Sequence, residues 1–284
     1  MTKLDTEEPP ALFYRYIGGG FASARDFLAA GFTRIQVKPT TLTLCGLIVT
    51  LLAGFCLALG AGDHMGSPRR PDGTINPATS WFGLYAAILL FLASAFDILD
   101  GAVARHSGRV TKMGGFLDSC FDRVADAAIF LGIAWYYISH LDEPGARLYL
   151  LLGLIAFFNA EMTSYIKARA ENFIPSCPVG FWQRGEREAA ILIGLFSHHL
   201  PTAVALLAIS GAFTVLRRIV FTSQQLLRTQ RGEPLLDPFV PARGVMRLAL
   251  WRHRRGRWGY DLTVAFYSLI IIFVDFSSLA TGTN

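Results

Sequence analysis

The chain of 284 residues is 52% hydrophobic and only 17% charged, with a net charge of +5 and a mean hydropathy of +0.41. Soluble globular domains carry about 25% charged residues, so the composition excludes a disordered tail, a nucleic-acid-binding arm and an ordinary soluble domain. It describes a polytopic all-α integral membrane protein.

The start, Met1-Thr-Lys-Leu-Asp-Thr-Glu-Glu-Pro-Pro, is acidic and lacks the basic-then-apolar order of a secretory signal, so the N-terminus is expected to stay in the cytosol. Residues 11–38 mix Phe, Leu and Ile with Arg15, Arg25, Arg34 and Lys38, the pattern of an interfacial amphipathic helix that Pro39 ends. Apolar runs then predict spans near 40–62, 80–104, 113–139, 146–168, 187–200, 202–222 and 259–280, a six-helix transmembrane core with an additional C-terminal helix. The polar, Gly/Pro-rich loop 62–79 is predicted to be external and irregular. These boundaries divide the chain into a cytosolic N-terminus (1–38), a six-helix domain (39–222) and a basic segment with its extra span (223–284).

Lys and Arg fall between the spans with a bias. Arg105, Arg109 and Lys112, then Lys167, Arg169, Arg184 and Arg187, then the stretch from Arg217 to Arg257 lie on one side, against only Arg69, Arg70 and Arg147 on the other. Positive charge marks the cytosolic side, so the first, third, fifth and seventh spans run outward and the protein is expected in the cell (inner) membrane. The basic pI near 9.2 and the stretch Trp251-Arg-His-Arg-Arg-Gly-Arg-Trp258 are read as contacts with anionic membrane lipids, with no nucleic-acid partner. Cys45, Cys56, Cys120 and Cys177 lack CxxC spacing and are read as packing residues. His198-His199 is read as interfacial.

The informative stretch is Asp97-x2-Asp100-Gly101-x2-Ala104-Arg105-x8-Gly114-x3-Asp118-x3-Asp122. Spacings of three and four put Asp97 with Asp100, and Asp118 with Asp122, on single helix faces at the cytosolic ends of consecutive antiparallel helices. An ionised Asp within a membrane costs about 2.5–3.5 kcal/mol, so four demand compensating cations. Oxygen-only ligands select Mg²⁺, Mn²⁺ or Ca²⁺, and four carboxylates suffice for two ions of the kind that assist phosphoryl chemistry. Gly101, Ala104 and Gly114 each lie one turn from a carboxylate and leave room for a diphosphate, beside the Arg105 fork. Structural polar contacts or helix caps would explain any one Asp, but eight specified positions recur by chance about once in 10¹⁰ registers.

This motif resembles, at every specified position, the signature of the CDP-alcohol phosphotransferases. The resemblance implies a homodimer of six core helices, two divalent metal ions (Mg²⁺ or Mn²⁺) per site, and transfer of the phosphatidyl group of CDP-diacylglycerol to an alcohol with release of CMP. It implies that Asp97, Asp100, Asp118 and Asp122 bind metal and that Asp122 is the general base. Gly101, Arg105, Thr111 and Gly114 would hold the CDP-lipid, with Thr40, Thr41, Leu42 and Thr43 at the start of the first span.

Cations at the other cytosolic helix ends bear on the acceptor. Each alone fits a membrane anchor, but Lys167 lies among Asn159, Glu161 and Ser164 in an otherwise apolar helix, and a converging set suits a phosphorylated alcohol. The runs Ser164-Tyr-Ile-Lys-Ala-Arg-Ala-Glu171, Gly180-Phe-Trp-Gln-Arg-Gly-Glu-Arg187 and Val215-Leu-Arg217 resemble the bacterial phosphatidylinositol-phosphate synthases. Lys167, Arg169, Arg184, Arg187 and Arg217 are thus the candidate contacts to inositol phosphate, with glycerol phosphate the competing acceptor. Two readings of other classes remain: a cation transporter, which would space its acids through the bilayer depth, and a structural scaffold, which leaves the cost of the carboxylates unexplained.

Overall fold

The computed structural model describes residues 19–62, 64–65, 79–143, 145–237, 258–274 and 276. The described residues form eight helices: α1 (Gly19–Arg34), α2 (Pro39–Gly60), α3 (Phe82–His106), α4 (Lys112–Ser139), α5 (Ala146–Ala170), α6 (Arg184–Phe196), α7 (Leu200–Gln230) and α8 (Trp258–Phe273). The seven spans predicted from hydropathy correspond in order to α2 through α8. By length and composition α2, α3, α5 and α7 are able to cross a membrane. Helix α4 is long enough, but Asp118, Asp122, Arg123 and Asp126 interrupt its apolar run; α6 has only 13 residues and α8 only 16.

Local chemistry sets several boundaries. The helix predicted over 11–38 is described from Gly19 and stops at Arg34, ahead of Pro39, because Gln36 takes a left-handed backbone with φ 55°; residues 11–18 lie outside the described set. Pro39 then occupies the first position of α2, where its fixed φ suits a helix and its missing N–H costs nothing. Between α3 and α4 the chain reverses at Gly108, φ 66°, and Thr111 caps α4 by accepting a hydrogen bond from the Gly114 N–H at 3.0 Å. This short reversal, with α2 packed against both helices, brings Asp97 and Asp100 of α3 within reach of Asp118 of α4. The loop predicted as irregular contains one ordered feature among its described residues, a parallel pairing of His64–Met65 with Thr79–Ser80. Helix α7 continues past residue 222, where the sequence division fell, to Gln230. The segment 238–257, which holds most of the Trp251–Trp258 stretch, lies outside the described residues.

Helix α2 packs along α3 and α4, α5 joins α4 to α7, and α6 sits against α3 and α7, with α8 on the outside of α6. The contact surfaces are small: Ala53, Ala86, Ala156, Ala160 and Ala203 are fully or almost fully buried. Gly54 and Gly132 bring α2 and α4 so close that a Cβ on Gly132 would collide with the Gly54 carbonyl. Apolar lipid cannot drive helices together as water does, so close backbone approach supplies the attraction. The large side chains turn the other way, with Phe55, Phe91, Trp135, Phe158 and Phe213 all exposed, a surface suited to lipid and not to water. Helix α1 lies across α3, burying Ala29 against Leu42, Ala102 and Val103 while Phe27 remains 80% exposed.

Candidate active site

Side-chain oxygens of Asp97, Asp100 and Asp118 all lie within 4.8 Å of one another. A hard cation holding oxygens at 2.0–2.6 Å places opposite ligands roughly 4–5 Å apart, so the trio fits a divalent ion. One atom in particular asks for a cation: Asp100 Oδ2 is buried and has no hydrogen-bond partner, which is costly for a carboxylate unless something else neutralises it. Asp122, the fourth predicted ligand, stands outside this trio. Its Oδ1 is 2.7 Å from Arg184 Nη1, and the same nitrogen donates to Asp97 Oδ1 at 2.9 Å. The other guanidinium nitrogen meets Glu188 at 3.1 Å, and Glu188 in turn accepts from Ser94 at 3.3 Å.

The predicted CDP-lipid contacts divide. Thr43 lines a small void with Asp97, Asp100, Asp122 and Arg184, and Arg105 is exposed, with its guanidinium over the bare face of Gly101. A side chain at Gly101 would meet that guanidinium, and one at Gly114 would meet Thr111 Oγ1 at 3.0 Å. Thr40 and Thr41 are exposed in the first turn of α2. Leu42 is buried against Ala29, Ala102 and Val103 and is a packing residue. Thr111 is occupied as the cap of α4.

Beside the carboxylates a cavity of about 610 Å³ opens between α4, α5, α6 and α7. Its cations are Arg123, Lys167, Arg184, Arg187 and Arg218. Three of the predicted acceptor contacts, Lys167, Arg184 and Arg187, therefore converge. Arg169 is exposed and stacks on Phe173 at 4.8 Å, and Arg217 is not in the lining; its neighbour Arg218 takes that place. Arg218 is 2% exposed. It donates from Nε to Val179 O at 2.9 Å and from Nη1 to Thr163 O, tying the loop 171–183 and α5 to α7. Gly180, at φ 101°, is packed so tightly on Thr214 that no side chain fits. Of the polar residues expected around Lys167, Glu161 and Ser164 line the cavity, whereas Asn159 turns away and donates to Ala208 O at 2.7 Å on α7.

Sequence reasoning missed Asp126 and Glu188. Asp126 is buried one turn beyond Asp122 and holds Arg187 at 2.7 Å and Arg123 at 3.5 Å; its signal was the continuation of the four-residue step from Asp118 through Asp122. Asp122 and Arg184 are the two residues common to the carboxylate void and the cationic cavity. The site thus joins the acidic cluster to a chamber lined by five cations together with Asp122, Glu161 and Glu171, at one end of the bundle. Carboxylates at a single end, beside a chamber lined by cations, are not the spread expected of an ion pathway.

Comparison with known proteins agrees. Archaetidylinositol phosphate synthase of Methanothermobacter thermautotrophicus is 39% identical over 209 residues, covering 71% of this chain and 91% of that one. Phosphatidylinositol phosphate synthase of Corynebacterium glutamicum is 33% identical over 200 residues, covering 68% and 81%. Crystal structures of the Mycobacterium tuberculosis phosphatidylinositol phosphate synthase are similar in fold. The structure with CDP-DAG bound superposes with a TM-score of 0.57 at 26% identity, over 70% of this chain and 92% of that one. The complex with manganese and citrate gives 0.56 at 26% identity, over 80% and 99%. Residues 36–229 match the family model for CDP-alcohol phosphatidyltransferase, and the chain belongs to that family, membrane enzymes that pass a phosphatidyl group from a CDP-linked lipid to an alcohol.

Proposed function

We propose that the chain transfers the phosphatidyl group of CDP-diacylglycerol to inositol phosphate, releasing CMP. The observation that carries the acceptor assignment is the cavity holding Lys167, Arg184, Arg187 and Arg218 directly beside the acidic cluster. A neutral polyol has no use for four cations, whereas a phosphate monoester forms charge-assisted bonds with them. The named relatives make inositol phosphate lipids, which supports the same acceptor.

Asp97, Asp100 and Asp118 would hold divalent metal, Mg²⁺ or Mn²⁺, with Asp122 completing a two-ion set once Arg184 withdraws. The metal, when bound, neutralises charge that develops on the diphosphate as it is attacked. Gly101, Gly114, Arg105, Thr40, Thr41 and Thr43 form the open rim on which the cytidine diphosphate lies, a bare backbone and a guanidinium beside the carboxylates. Lys167, Arg184, Arg187 and Arg218 grip the acceptor phosphate and aim a ring hydroxyl at the β-phosphorus. A hydroxyl is a poor nucleophile until a base takes its proton; Asp122 is that base, because it alone of the acids borders both chambers. The domain acts as a homodimer in the cell membrane with this end of the bundle on the cytosolic side, and the basic residues beyond α7 rest on anionic lipid. The six core helices α2 to α7 form the catalytic unit, and residues 1–38 and 231–284 its flanks.

The test is a CMP-release assay with CDP-diacylglycerol and either inositol phosphate, glycerol phosphate or free inositol as acceptor. Inositol phosphate is expected to give the highest kcat/KM; faster turnover of glycerol phosphate or of free inositol overturns the acceptor assignment.

A further inference from the structure

We infer that the C-terminal helix α8, which lies outside the matched family region, positions the acceptor-binding arginines through Tyr260. This deepens the reading above and rests on Arg184 and Arg187 as acceptor contacts. Helix α6 begins with Arg184-Gly-Glu-Arg187. At 100° per residue Arg184, Arg187 and Glu188 share one face, and Glu186 points to the other side. Arg184 and Arg187 of the first face line the acceptor chamber. On the second, Glu186 is buried and its Oε1 accepts the Tyr260 hydroxyl at 2.5 Å.

That bond holds the face of α6 turned away from the chamber, whereas the ion pairs of Arg184 with Asp97 and Asp122 and of Arg187 with Asp126 hold only the chamber face. The helix has 13 residues, and Gln183 at its N-cap supplies no side-chain capping bond, so the first turn is where fraying begins. A second link runs through aromatic rings. Tyr267 of α8 lies 5.0 Å from Phe181 and 4.9 Å from Trp182, and the Trp182 carbonyl accepts from Arg187 Nη1 at 3.4 Å. Helix α8 is anchored at its far end as well. Thr202 donates to Val274 O at 2.8 Å, and Tyr149 donates to Phe276 O at 2.7 Å. A helix held at one end by α5 and α7 therefore grips the first turn of α6 at the other. Tyr260 is a positioning residue: it lies outside the lining of the acceptor chamber, and it sets the rotation of α6 from which Arg184 and Arg187 project.

The experiment compares Tyr260→Phe, Glu186→Gln, Glu186→Ala and the Tyr260→Phe/Glu186→Ala pair in the full-length chain, with Arg187→Ala alongside. Tyr260→Phe keeps the ring and its packing, so folding is retained. Its KM for inositol phosphate is expected to rise about 5- to 10-fold, with kcat and the CDP-diacylglycerol KM within about twofold. Glu186→Gln still accepts the hydroxyl and stays within about twofold, whereas Glu186→Ala rises at least as far as Tyr260→Phe, and the pair rises no further than Glu186→Ala. A merely structural role would lower the active fraction and the melting temperature and leave the acceptor KM in place; that result overturns the inference. An acceptor KM unchanged in Tyr260→Phe but raised in Arg187→Ala overturns it alone, and one unchanged in both overturns the acceptor reading with it.

Discussion

Arg184 Nη1 lies 2.7 Å from Asp122 Oδ1, so a cation assigned to the acceptor phosphate is paired with the acid assigned as the base. The pairing has a physical reason: the guanidinium lies within ion-pair distance of both Asp97 and Asp122 and offsets their charge, and an unpaired carboxylate there is costly.

It follows that Arg184 competes with metal. Arg184→Met should tighten Mn²⁺ binding by about tenfold, the equivalent of one charge-assisted hydrogen bond, and should also weaken the acceptor. Mn²⁺ titration followed by electron paramagnetic resonance reads the first effect without turnover. Unchanged or weaker Mn²⁺ affinity would count against the competition.

Asp97→Asn and Asp118→Asn should abolish activity while insertion into the membrane is retained, since a neutral side chain is cheaper to insert. In the wild-type enzyme chelation should stop turnover and Mg²⁺ or Mn²⁺ should restore it. Turnover persisting in excess chelator would contradict a metal-dependent site.

Asp122→Asn should lower kcat by about 10²- to 10⁴-fold, the usual contribution of a positioned base. Because Asp122 lies outside the trio whose ligand atoms cluster, the first Mn²⁺ should still bind within a few-fold of the wild-type affinity. Near-normal CMP release in this variant would remove Asp122 from the base role.

The acceptor chamber separates the basic residues. Lys167→Ala should raise the acceptor KM about 10- to 100-fold, and Arg218→Lys, which keeps charge but loses the fork that holds Val179 and Thr163, should raise it as well. Arg169→Ala should leave it within about twofold, because Arg169 stacks on Phe173 and is not in the lining. Steady-state kinetics on the four proteins decides it.

Gly132→Ala should destabilise the bundle by about 1–3 kcal/mol, since the added methyl meets the Gly54 carbonyl. The melting temperature in detergent measures this, and Gly115→Ala, with open space around its Cα, is the control.

The seven apolar segments and the acidic motif were legible in the sequence because both are local. Hydropathy marks a segment that needs no partner to declare itself, and Asp97, Asp100 and Asp118 sit on two consecutive helices joined by a short turn, so their spacing already puts them at one end of the bundle. The basic pocket is of another kind. Lys167, Arg187 and Arg218 come from three helices, and which cation of Arg217 and Arg218 faces inward depends on the rotation of α7, which a single helix pattern leaves open when both neighbours are charged. Thr111 shows the same limit: a hydroxyl beside a phosphate site and a helix cap look alike in sequence, and only the 3.0 Å bond from Gly114 tells them apart. The partners of Arg184, and the grip of Tyr260 on Glu186 across 74 positions of chain, were decided by the tertiary structure alone, because a buried charge pairs with whatever packing delivers to it.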